Sequence, residues 1–147
     1  MSITVAFWGL MLFGLLPQQP APAPAPVSTA APASLNYEFF KTKVQPIFLA
    51  KRPGHARCIA CHAGGTPLRL QALSPGSATW SDEESRKNFD AVKRVALPGN
   101  LKSPLLMHPL EEAAGGDFFH NGGKHWSSQS EQEWQTLKAF VLGQTAN

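Results

Sequence analysis

The chain has 147 residues and 15.9 kDa, enough for one domain of ordinary size and too little for a large multidomain enzyme. Hydrophobic residues make up 43% and charged residues 16%, which excludes a wholly disordered chain. The formal net charge is only +3, with Lys and Arg outnumbering Asp and Glu by 13 to 10, far below the basic density of a dedicated nucleic-acid binder.

Charge is unevenly placed. No Lys, Arg, Asp, Glu or His precedes Glu38. Residues 3–16, ITVAFWGLMLFGLL, form an uninterrupted run of apolar residues and glycines, with Thr4 the one hydroxyl among them. As a helix rising about 1.5 Å per residue such a run spans roughly 21 Å, short of the ~30 Å core of a bilayer. It reads as the apolar core of a secretory signal, with Ser28-Thr29-Ala30 as a small-residue cleavage site, or as a retained short membrane anchor; the lack of Lys or Arg before it argues against cleavage. Either reading carries the rest of the chain across a membrane and assigns residues 1–16 to a signal or anchor.

Residues 17–36 are Pro- and Ala-rich. Alternating proline fixes φ and removes backbone donors, so the expected conformation is an extended spacer that packs against nothing. The remaining residues, 37–147, are then the functional domain. In its first segment Phe40, Val44, Ile47 and Phe48 recur at helical spacing, with Pro46 expected to kink or break the helix.

Both cysteines lie in Cys58-Ile59-Ala60-Cys61-His62. C-x-x-C-H is the pattern of covalent c-type haem attachment: two thiols on one short helical turn reach the two vinyl groups of a porphyrin, and the following imidazole becomes the proximal iron ligand. A thioredoxin-like pair needs no such histidine and sits in a βαβ pattern that is missing here. A disulfide across two residues staples little. A zinc site wants four ligands, and a second cysteine pair is absent, although His55 and His62 could contribute. The reading is therefore one covalent haem c held by Cys58, Cys61 and His62.

Further along, Ser81-Asp82-Glu83-Glu84 reads as a capping box opening a helix in which Phe89, Val92 and Val95 or Ala96 recur until Pro98-Gly99 stops it. Ser130 is expected to open the last helix, with Trp134, Leu137, Phe140 and Val141 as its apolar stripe. No strand pattern of any length is present, though residues 67–73 alternate weakly and fit a short extended piece. Trp80 and Trp126 fall in loops, as core covers or as indole donors to a haem propionate. Six of the thirteen basic residues, Lys41, Lys43, Lys51, Arg52, Arg57 and Arg69, surround the cysteine motif, a bias suited to docking an acidic redox partner.

These motifs together resemble small monohaem c-type cytochromes, and more closely the planctomycete- and acidobacterium-type cytochrome c domains. The resemblance covers residues 37–143: the aromatic helix Tyr37-Glu38-Phe39-Phe40, the Cys58 to His62 motif, Pro98-Gly99-Asn100 with Ser103-Pro104-Leu105-Leu106, and His120-Asn121-Gly122-Gly123-Lys124 before the final helix. It implies an all-α fold wrapped around one covalent haem. Many such domains take their distal Met from a Met-Pro-Pro sequence, which this chain lacks. His120 stands at that place and is the expected sixth ligand and second metal-binding residue, with Met107 and then His125 or His108 as alternatives.

The expectation is a periplasmic electron carrier rather than an enzyme, cycling Fe(III)/Fe(II), tethered to the inner membrane if residues 1–16 persist. Its partners would be redox proteins, as a subunit or shuttle of a respiratory or photosynthetic membrane complex, with no nucleic acid. The alternative is a haem enzyme or gas sensor with an open or weakly ligated distal site.

Overall fold

A computed structural model describes residues 33–146, which fall in the compact unit Ala31–Asn147. The apolar segment, the Ser28 to Ala30 site and the spacer up to residue 32 lie outside the described residues, as does Asn147. Among the described residues the fold is all helical: α1 (Tyr37–Phe39), a π-helical turn (Phe40–Val44), α2 (Gln45–Leu49), α3 (Cys58–His62), α4 (Asp82–Val92), α5 (Pro104–Met107), a 3-10 turn (Glu112–Ala114) and α6 (Gln132–Val141). The only β pairing among them is an isolated parallel bridge between Leu110 and Trp126. No helix among them is long and apolar enough to cross a membrane.

The domain begins slightly earlier than the spacer reading implies. Asn36 caps α1 by accepting the Phe39 amide at 2.8 Å, and Leu35 packs on the core. Residues 33–36, assigned by composition to the spacer, thus belong to the folded unit.

Helices α1 and α2 form one continuous helical stretch. Pro46 has no N–H to donate, and the chain meets that defect with a π-helical turn directly before it rather than a kink. Phe40 and Val44 at the two ends of this turn are fully buried. Phe40, Phe89 and Phe140 form an aromatic knot with ring centres 5.3 to 6.4 Å apart, joining the first helical stretch to α4 and α6.

The capping box at α4 is present as expected, Ser81 accepting the Glu84 amide and Glu84 accepting the Ser81 amide. Of the expected stripe Val92 is fully buried, as is Ala96 rather than Val95, while Phe89 and Val95 are partly buried against the core. Ser85 and Asn88 are wholly buried beside Ala91 and Val92, Ser85 accepting from the Gln45 amide group and Asn88 from the Gln71 backbone. The regular helix also stops at Val92, six residues before Pro98: the Arg94 and Val95 amides turn to the Ala91 and Val92 carbonyls three residues back, and the Val95 carbonyl beyond is taken by the Leu105 amide and the Ser103 hydroxyl.

At α6 the cap is Glu131, not Ser130. The Glu131 carboxylate turns back to accept the Ser127 and Ser128 amides, so it organises the loop entering the helix instead of the helix itself. Residues 67–73 form no strand. Leu70 instead returns its amide to the His62 carbonyl at 2.8 Å. Gly116 is required by close approach, since a Cβ there would lie 1.9 Å from the Leu110 carbonyl oxygen.

The α4 N-terminus carries a pH-dependent clasp. Hydrogen bonds from Lys41 and then Tyr37, with help from Arg86, hold the Asp82 carboxyl down from 3.8 to about 2. A depressed carboxyl contributes stability that is complete above its unfolded value and disappears as pH falls through the folded one. The urea midpoints of wild type and Asp82→Asn should therefore differ at neutral pH and converge between 3.8 and about 2; a gap unchanged at pH 2 would refute this.

Candidate functional site

The cysteine motif forms a single helical turn, α3, preceded by extended Arg57. Both thiols are free, Cys58 half-buried and Cys61 exposed. Burial pushes the Cys58 thiol up against the opposing pull of Arg52, whose guanidinium lies 3.8 Å from the sulfur.

His62, at the end of this turn, is fixed by the loop that follows. Its Nδ1 lies 2.8 Å from the Leu68 carbonyl and 3.0 Å from the Thr66 hydroxyl, which also donates to Leu68. A carbonyl only accepts, so Nδ1 carries the proton and the lone pair is left on Nε2. His120 is held in the same manner, its Nδ1 donating to the Gly123 carbonyl, and its lone pair is likewise on Nε2. Gly123 reaches that position with φ +82°, a left-handed conformation suited to glycine. Burial lowers the His120 pKa from its ordinary value.

The two imidazoles line one apolar cleft and lie 6.2 Å apart between ring centres, with planes 24° from parallel. One metal ion bonded at about 2 Å to a nitrogen of each ring sets the ring centres about 6 Å apart. The cleft holds about 630 Å³ counted to its open mouth, walled by Phe48, Leu68, Val95, Leu105, Trp126 and Leu137. Among the described residues no group of three His, Cys, Asp or Glu side chains gathers to hold a metal. A pair of imidazoles that gathers with no third His, Cys, Asp or Glu suits an ion that would bring further nitrogen donors of its own, and the apolar walls suit a flat organic macrocycle. They do not suit a tetrahedral zinc site.

The other candidates fall differently. Met107 belongs to α5, not a loop, and is absent from the cleft wall, which takes Pro104, Leu105 and His108 from the same turn. His108 lines the cleft with Nδ1 2.6 Å from Asp117, and Lys124 donates to the carbonyls of both. His125 also lines the cleft; its Nδ1 is buried with no partner, and burial with the nearby Arg52 charge pushes its pKa down to about 4. His55 stacks near it at 5.0 Å.

Neither tryptophan indole is free for a propionate. Trp80 donates to the Gln71 carbonyl at 2.8 Å and Trp126 to Glu133 at 3.1 Å. The basic cluster is also smaller than its sequence count, since Lys41 is paired with Asp82 and Arg52 with Glu133.

Arg52 and Glu133 were invisible as a pair. They are 81 residues apart, no spacing rule joins them, and each reads alone as surface charge. In the fold Arg52 Nε meets Glu133 at 2.5 Å, its other end donates to the Ile47 carbonyl, and its guanidinium lies 5.5 Å from the Trp126 ring centre. The pair thus ties α2 to α6 behind the cleft wall. Glu133→Leu should cost about 2 kcal/mol in urea unfolding, because the Arg52 side chain, 12% exposed, loses its partner. Adding Arg52→Met should restore more than half of the loss; a double variant no better than the single one would show that packing, not charge, sets the cost.

No family model, no curated protein and no solved structure matches this chain.

Proposed function

We propose that this chain is a monohaem c-type electron-transfer protein in which the helical domain closes around one covalently bound haem. Cys58 and Cys61 hold the porphyrin by thioethers, each thiol adding across one vinyl group, and His62 and His120 hold the iron through Nε2. The observation that carries this reading is the pair of imidazoles 6.2 Å apart on one apolar cleft that Cys58 and His62 of the C-x-x-C-H turn line, with Cys61 exposed beside it. Bound there, the haem supplies reversible Fe(III)/Fe(II) cycling.

The chain's own groups do the rest. The Leu68 and Gly123 carbonyls fix the two tautomers and ring orientations, and anchored imidazoles are stronger donors. Phe48, Leu105, Trp126 and Leu137 exclude water from the centre, which restricts side reactions. Two imidazoles favour a lower potential than imidazole with thioether. With His62 and His120 both engaged, the haem would serve as a carrier rather than an enzyme. The apolar segment of residues 3–16 and the C-x-x-C-H motif support a place on the outer face of the cell membrane, tethered there if that segment is kept, and service to a membrane electron-transfer complex through a redox protein partner.

One observation favours a second reading. His108, paired with Asp117, brings an oriented acid–base imidazole to the same cleft, as a haem enzyme or gas sensor with a displaceable distal ligand would require. Reduced-minus-oxidised spectra of periplasmically matured protein test both. A sharp α band unchanged by carbon monoxide supports the carrier, a spectrum altered by carbon monoxide supports the second reading, and the lack of a Soret band refutes both.

A further inference from the structure

The segments that carry His120 and His125 are held very differently. Phe118 and Phe119 are 76% and 67% exposed and 5.3 Å apart, and Phe119 meets the His108 ring edge at 6.2 Å, so neither is buried in the core. The hydrogen bonds that hold the His120 ring and backbone are local, to Gly123 and Phe118, and two glycines follow it. Few buried contacts and an exposed backbone mark a part of the fold that opens at low cost.

His125 stands at the other extreme. Its amide and that of Trp126 both donate to the Pro109 carbonyl, at 2.7 and 3.1 Å, and the Trp126 carbonyl accepts the Glu111 amide at 2.8 Å. The backbone at 125 is therefore pinned to the cleft wall. Its ring reaches the cleft, lies 5.5 Å from the His120 ring at 70°, and has a buried Nδ1 with no partner. Buried polar atoms are seldom left unpaired, and an unpaired one at a cleft marks a group that serves something else.

We infer that His125 is a reserve axial donor: when the loosely held His120 swings out with its loop, the anchored His125 takes the sixth position, and the centre stays six-coordinate. This rests on the haem reading above and on His120 as its resting ligand. No oxidant or reductant is consumed, since one imidazole nitrogen leaves the metal and another replaces it.

The test uses matured full-length protein carrying His120→Ala, alone and with His125→Ala. The single variant is expected to keep a low-spin ferric electron-paramagnetic signal with shifted g values, and the double variant to turn high-spin. Carbon monoxide should bind the ferrous single variant about tenfold more weakly than the double, as expected if His125 leaves only about a tenth of the centres open. Identical high-spin spectra for both variants would overturn the inference, and so would identical low-spin spectra, which would mean another residue takes the position. If the double variant does not mature, His120→Ala with His125→Met serves instead: a methionine–iron charge-transfer band in the red shows that position 125 reaches the metal, and its absence shows that it does not. A wild-type protein with no covalent haem would instead refute the underlying reading, an outcome distinct from all of these.

Discussion

His62→Ala is expected to lower the yield of covalently pigmented protein at least tenfold and to leave whatever pigment is attached without its low-spin spectrum. Removing a residue that merely orients a metal ligand commonly costs about 10- to 100-fold in affinity, and His62 is assigned as the ligand itself. Its orientation is set twice over, by the Leu68 carbonyl at 2.8 Å and the Thr66 hydroxyl at 3.0 Å. Thr66→Val should have a much smaller effect, because the Leu68 acceptor remains. Quantifying covalent haem per polypeptide after periplasmic expression checks both. Equal pigment and an unchanged low-spin signal in His62→Ala would remove His62 from the site.

The second large effect falls on the fold. Phe140 is wholly buried, and its ring lies 6.0 to 6.4 Å from those of Phe39, Phe40 and Phe89, at the junction of the first helical stretch, α4 and α6. Phe140→Ala should cost about 4 kcal/mol from lost burial and the cavity left behind. Domains of this kind hold only about 5 to 15 kcal/mol in total, so the urea midpoint should fall by a quarter or more with the slope unchanged. A loss below about 1 kcal/mol would show that the aromatic knot collapses around the gap and is not the main joint of the fold.

The parts of this molecule legible from sequence are those written in local chemistry. The Ser81 and Glu84 capping box is a code of two residues three positions apart, and it appears as read. The apolar stripe of α6, Trp134, Leu137, Phe140 and Val141, is buried as its spacing implies. The errors have one common origin, namely backbone or polar groups satisfied by segments distant in the chain. The stretch after α4 is held off the helical path as Ser103 and Leu105 claim the Val95 carbonyl, and Asn88 is buried because it accepts the Gln71 amide. Neither partner can be found by periodicity.

The site divides in the same way. Cys58, Cys61 and His62 are contiguous and readable, whereas the nearness of His120 depends on how a chain of 58 further residues returns to the cleft. The Gly122 and Gly123 pair was a visible hint, and the structure gives it a specific use: Gly123 turns its carbonyl onto the His120 ring. Met107 was a reasonable rival on composition alone, but α5 presents Leu105 and His108 to the cleft instead. The Arg52 and Glu133 tie had no sequence signal at all, because a partly buried ion pair is spelled like two surface charges.

The most direct measurement of the central claim is mass spectrometry of the proteolytic peptide spanning Cys58 to His62, taken from protein matured in the periplasm. The account predicts one porphyrin joined to that peptide through both sulfurs, surviving acidified organic solvent. A peptide of unmodified mass, with every pigment extracted, would contradict it.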